Sequence, residues 1–127
     1  MGFDFDEKSF VEEYVHAFEA RDGRCVAAFY NAPCLSVRAD GSMHSFSTHK
    51  EIEAFFTSVL ETYAEEGMTT FCAAAVTADP IGSMSSRFTC AWSMKRKDGS
   101  IIRNWSQTYI FQKFDADWKI IASIFHL

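Results

Sequence analysis

At 127 residues the chain is long enough for one domain with a substantial core and too short for two. Hydrophobic residues make up 48% and charged residues 23%, the balance of a soluble globular protein, and a net charge of −5 without any long basic run argues against nucleic-acid binding. No apolar run approaches a membrane span, and the opening MGFDFDEKSF lacks the apolar h-region of a secretory leader.

Residues 6–21 carry a helical period, with Phe10, Val11, Tyr14 and Phe18 on one face. Asp6, or Ser9 with Glu12, can cap its start. Asp22-Gly23 breaks this helix, and a second short helix over 24–30 runs until Asn31-Ala32-Pro33 ends it. A hairpin follows: CLSVRA, a tight turn at Asp40-Gly41, then SMHSFS. Thr48 and Glu51 form a capping box that opens a third helix over about 49–65, and Gly67 closes it. Its apolar side holds Ile52, Phe55, Phe56, Val59, Leu60 and Tyr63.

The rest reads as long strands joined by short turns: MTTFCAAAVTA, the turn DPIGS, SSRFTCAWSMKR, Asp98-Gly99, SIIRNWSQTYIFQKF, the turn DAD and WKIIASIFHL. Short connections imply an antiparallel sheet. The expected fold class is α+β, one domain over 1–127, with three helices packed on one face of a curved sheet. In WKIIASIFHL both alternating sets are apolar: Trp118, Ile120 and Ile124 on one, Ile121, Phe125 and Leu127 on the other. A second buried face, formed by homodimerisation through the outer side of the sheet, accounts for that pattern.

Few residues carry obvious chemistry. The histidines at 16, 44, 49 and 126 form no spaced pair on a helix, so no metal site is expected. No phosphate loop, nucleophile elbow or dinucleotide fingerprint occurs, and no cofactor is expected. Cys25, Cys34, Cys72 and Cys90 are widely spaced, which fits reduced, mostly buried thiols in a cytoplasmic protein. The lipidation pattern at the start fails at Asp6. Aromatics are abundant at 16%, 13 of them Phe. In FTCAWSM and NWSQTYIF, Trp92, Trp105 and Tyr109 mix with Cys90, Ser106, Gln107 and Thr108. An apolar cavity with a few hydrogen-bonding groups needs such a mixture, and so does a sheet with an interface on its second face.

The element order, AFYNAPCLSV after the helical pair, and the ending QTYIFQKFDADWKIIASIFHL together resemble the nuclear transport factor two-like superfamily, which includes SnoaL-like cyclases and ketosteroid isomerases. The resemblance spans nearly the whole chain. It implies a cone-shaped, cystatin-like α+β fold, a pocket between the concave sheet and the helices, and a dimer without a cofactor. Ketosteroid isomerases use a helix tyrosine as oxyanion donor, a strand carboxylate as proton shuttle and a late-strand neutral acid. Placed on this chain, the tyrosine falls on Tyr14, the one candidate catalytic residue, and a second family tyrosine falls on Tyr30. The shuttle falls on Arg38 and the late acid on Ile110. A guanidinium cannot abstract a proton, so this is not a standard ketosteroid isomerase.

The implied ligand-binding set is Tyr14, Phe18, Tyr30, Arg38, Phe55, Trp92, Thr108 and Ile110. Alternation groups Cys34, Ser36 and Arg38 on one strand face and would solvate Arg38. The resemblance turns Arg38 inward, where it needs an anion. The expected function is binding of a small, acidic molecule, or cofactor-independent lyase, isomerase or cyclase chemistry. The alternative is a non-catalytic dimerisation or interaction module.

Overall fold

A computed structural model describes residues 4–126. Leu127, counted above in the apolar pattern of the last strand, lies outside the described residues. Helix α1 (Glu7–Glu19) is capped by Asp6, whose carboxylate accepts from the Ser9 backbone N–H at 3.1 Å and the Ser9 hydroxyl at 2.9 Å. It buries Phe10, Tyr14, Ala17 and Phe18, leaving Val11 half-buried. Helix α2 (Gly23–Ala27) is capped by Asp22. It packs tightly on the third helix, and a Cβ at Gly23 would lie 2.5 Å from Thr57 Oγ1 and 2.9 Å from the Thr57 nitrogen.

Strand β1 (Tyr30–Val37) begins earlier than the sequence pattern suggests. Tyr30 to Pro33, expected to end a helix, is already strand. Tyr30 pairs with Ile120 of the last strand, and that ladder overrides the local helical period. Strand β2 (Met43–Phe46) completes the small hairpin. Helix α3 (His49–Glu65) follows, capped by Thr48 and stopped at Gly67, whose φ of +90° suits glycine alone. Its buried residues are Ile52, Phe56 and Leu60.

Strands β3 (Thr70–Ile81), β4 (Ser85–Lys95), β5 (Ile101–Phe114) and β6 (Asp117–Phe125) form a long meander. Strand β3 runs on through Asp79 and Pro80, so the reversal falls at 82–84 rather than 79–83. The six strands are ordered β2-β1-β6-β5-β4-β3, a curved sheet that does not close. All neighbours are antiparallel except β1 and β6, which run parallel. The sequence reading of a wholly antiparallel sheet is corrected at that pair. The chain between them spans most of the fold, so a short turn does not dictate their direction.

Two irregularities matter. Between Ala74 and Thr77 the β3–β4 register shifts, with Ala75 at φ +51°. Between Ile120 and Ala122 the β5–β6 register also shifts. The second shift moves the buried face of β6 from Ile120 to Ser123. Part of the two-sided apolar pattern of this strand therefore comes from the strand changing phase over its own core.

The core lies between the sheet's concave face and the helices and is largely aromatic. Phe71 stacks on Phe18 at 4.6 Å and on Trp92 at 4.7 Å between ring centroids. All four cysteines are free. Cys34 and Cys90 are buried, but Cys25 and Cys72 are exposed, which corrects the expectation of mostly buried thiols. No helix among the described residues is long and apolar enough to cross a membrane.

Candidate functional site

The inner end of the fold carries a set of buried phenols. Tyr14, on the inward face of α1, shares a hydrogen bond of 2.6 Å with the hydroxyl of Tyr30 at the start of β1. Tyr109, on the inward face of β5, accepts a hydrogen bond of 2.9 Å from the indole N–H of Trp92. Burial raises the pKa of Tyr14, Tyr30 and Tyr109 well above the ordinary phenol value. Tyr63 is raised as well, again chiefly by burial. These groups stay neutral through physiological pH, so they can donate hydrogen bonds but cannot act as bases.

Above Tyr14 and Tyr30 opens a cavity of about 60 Å³. Ile52, Phe55, Phe56 and Val59 of α3 form its helix wall, and Phe18 and Phe71 close one side. The sheet wall is different. It presents Ser36 of β1, Ser123 of β6 and Gln107 of β5, together with Cys34. Ser36 and Ser123 are register partners, and Tyr109 continues that row on β5. Burial pushes the Cys34 thiol up to about 11, which keeps it protonated and weakly nucleophilic.

Arg38 follows the end of β1 and lines both this cavity and an adjoining open groove of about 690 Å³. Its guanidinium carbon lies 5.0 Å from the centroid of the Phe55 ring and 5.6 Å from that of Phe125. The four ion pairs among the described residues are Arg24–Glu53, Arg87–Asp79, Arg103–Glu66 and Lys113–Asp4, and none engages Arg38. Asp40 is close enough to feel its charge, but that carboxylate accepts from the Ser42 hydroxyl at 2.6 Å and backbone N–H at 2.9 Å. Arg103 sits in the outer groove, bound to both oxygens of Glu66. The result is an apolar chamber whose mouth holds a charge with no ion-pair partner among the described residues.

Among the described residues no carboxylate or imidazole lines the chamber, and no group of three or more metal-ligating side chains converges. Of the described lining residues, those with a proton to exchange are phenols, hydroxyls and a protonated thiol.

Of the residues expected at the site, Tyr14, Phe18, Tyr30, Arg38 and Phe55 meet around the chamber. Trp92 stands one layer back, fully buried behind Phe71 and Tyr109. Thr108 and Ile110 do not reach the chamber, because Gln107, Tyr109 and Phe111 are the buried residues of this stretch. Thr108 instead bonds Thr89 at 2.9 Å and His126 at 2.7 Å on the outer face. The placement of Thr108 and Ile110 in a ligand site is thereby corrected, since one position along a strand inverts the face. Ser36 was legible from its alternation with Cys34 and Arg38, and Gln107 from its mixture with rings. Ser123 was hidden by the shift in β6.

Comparison with known proteins adds the family. A family model described as "NTF2-like protein (DUF6841)" matches residues 6–127. No curated protein matches the chain. Among solved structures, an NTF2-like protein with a cystatin-like fold from Novosphingobium aromaticivorans superposes with a TM-score of 0.75 at 13% identity, covering 96% of this chain and 81% of that one. A domain of unknown function with a cystatin-like fold from Nostoc punctiforme gives 0.72 at 16% identity, covering 94% and 75%. An NTF2-like protein of unknown function from Shewanella oneidensis gives 0.72 at 13%, covering 93% of each chain. At these identities the likeness concerns the fold alone.

Proposed function

The chain belongs to an NTF2-like family, and on that premise we propose that it is a small-molecule-binding domain whose chamber takes a small acid with an apolar body. The observation that carries this reading is Arg38, a permanent cation at the mouth of an apolar chamber with no ion-pair partner among the described residues. Holding a charge partly out of water costs free energy unless something answers it, and the two flanking rings answer it only in part. A carboxylate accepts two parallel N–H bonds from a guanidinium and fits this position. The chamber volume of about 60 Å³ corresponds to roughly four to six water sites. It suits a single ring with its carboxylate in the mouth.

Binding is favoured over catalysis because none of the described lining residues is a base at physiological pH. The isomerase roles that Tyr14 suggests need a carboxylate where this chain has Arg38. Benzoate and the neutral benzamide separate charge from shape. In a two-dimensional amide NMR titration, benzoate is expected to shift resonances around Arg38, Phe55 and Tyr63, and benzamide to do so at least tenfold more weakly. Equal responses to both would sink the reading.

The dimer has its own support. On the outer sheet face Leu35, Ala122 and Ile110 form one cross-strand row, and Val37, Ile124 and Thr108 form the next. Leu35 and Ile124 are 38% and 39% exposed. A homodimer that covers these rows removes apolar area from water. Ile124→Asp is expected to convert a dimeric mass by light scattering into a monomeric one, and a monomer in the unaltered protein at micromolar concentration contradicts it.

A further inference from the structure

The sheet wall of the chamber has more hydrogen-bonding capacity than the protein uses. Ser36, Gln107 and Ser123 are only 8%, 5% and 4% exposed. The hydroxyls of Ser36 and Ser123 meet no hydrogen-bond partner among the described residues. Among the described residues no buried side-chain polar atom is sealed from solvent without a partner, and both serines line the chamber, so these hydroxyls open onto it. The Gln107 amide is oriented by Trp105, whose indole N–H donates to Gln107 Oε1 at 2.9 Å. An indole nitrogen is a donor only, so the oxygen must face it and the amide NH₂ is left over. That NH₂ also has no partner among the described residues. Three buried polar groups with spare capacity thus line one wall of a chamber whose opposite wall is Ile52, Phe55, Phe56 and Val59.

Their spacing relative to Arg38 is set by the register. Ser36 lies two residues before Arg38 on the same face of the strand, about 6.6 Å deeper along it. Ser123 is directly across from Ser36. Gln107 pairs with Phe125 one row nearer the mouth, diagonal to Ser123. An acid whose carboxylate meets Arg38 would therefore bring the far end of a single ring against Ser36 and Ser123.

We propose that Ser36, Ser123 and Gln107 form a selectivity strip, and that the chamber prefers ring acids bearing a hydroxyl at the end opposite the carboxylate. This rests on the reading of Arg38 as the anchor. A bare apolar ring would displace water from all three groups and return nothing. A ring hydroxyl, donor and acceptor at once, answers the serine hydroxyls, which rotate to match.

The test measures benzoate and 4-hydroxybenzoate by calorimetry on the unaltered protein, on Ser36→Ala/Ser123→Ala and on Arg38→Leu. One net hydrogen bond is worth roughly two- to tenfold in affinity. The unaltered protein is expected to bind 4-hydroxybenzoate at least about threefold tighter than benzoate. The double alanine variant should bring that ratio to about one. The variant gives up no internal side-chain bond, and a thermal melt checks its fold, with each single alanine as the second measurement. A ratio at or below one in the unaltered protein overturns the strip, as does a ratio the alanines leave unchanged. If the ratio fails while Arg38→Leu still weakens benzoate, the strip alone is wrong. If benzoate does not bind the unaltered protein at all, both readings fall.

Discussion

Replacing Tyr14 with Phe removes one oxygen from the base of the chamber and little else. The ring stays, with its contacts to Phe10 at 4.9 Å and Phe18 at 5.0 Å between centroids. What is lost is chiefly the 2.6 Å bond to Tyr30, a pair that is buried at both ends, with a lesser interaction with the Tyr109 side chain. The Tyr30 hydroxyl then has no phenol to pair with, although it lines the chamber and can recover a water. The expected cost is about 1–2 kcal/mol, the range for stranding a buried hydroxyl that retains some hydration. Unfolding entropy of about 2.1 cal/mol/K per residue over 127 residues converts that to a fall in Tm of about 4–8 °C. Tyr30→Phe should cost a similar amount. The double variant should cost less than the sum, because removing both partners of this bond strands neither of them. Differential scanning calorimetry on the four proteins reads the cycle. Additive losses, or single losses below about 0.5 kcal/mol, the scatter of neutral substitutions, would refute the reasoning that this pair is a coupled buried bond.

Gly23→Ala should destabilise the protein by about 1–3 kcal/mol through overpacking, since its Cβ would meet the Thr57 backbone as well as its side chain. A chemical-denaturation midpoint within error of the unaltered protein would contradict the close approach of α2 and α3. All four tyrosines have raised pKa values, so ionisation should be delayed beyond the ordinary phenol range near 10.0 and coincide with unfolding. The sign follows from linkage: the folded state favours the protonated phenols, so their contribution is full below that ordinary value and is lost as pH rises through the raised values. Absorbance at 295 nm should climb in one step with the loss of near-ultraviolet circular dichroism. Gradual ionisation near pH 10 in a protein that keeps its tertiary signal would count against that burial.

The helices and most strands were legible because their signals are local. Asp6, Asp22, Thr48 and Gly67 punctuate the helices where caps and stops belong, and the turns at Asp40-Gly41 and Asp98-Gly99 mark reversals. The parallel pairing of β1 with β6 was not legible, because it joins segments about ninety residues apart and leaves no local trace. The site divided along the same line. Tyr14, Phe18 and Phe55 sit on helix faces whose period is plain in the sequence. Ser123 depends on a register shift, and Thr108 and Ile110 were assigned to the face their neighbours occupy. Arg38 was ambiguous for a physical reason. Its strand face carries Cys34 and Ser36, which look polar beside Leu35 and Val37, yet it is that face which turns to the chamber.

The account centres on Arg38 as an anion anchor, and one affinity comparison tests it most directly. Benzoate titrated calorimetrically into the unaltered protein and into Arg38→Leu should show a loss of about 1.5–3 kcal/mol, roughly ten- to 150-fold, the usual worth of a hydrogen bond to a charged group. Leucine keeps an apolar contact to Phe55 and Phe125, so a thermal melt should show the fold intact. Equal benzoate affinity in the two folded proteins would contradict the account, because the acid would then be held by something other than the guanidinium at the mouth.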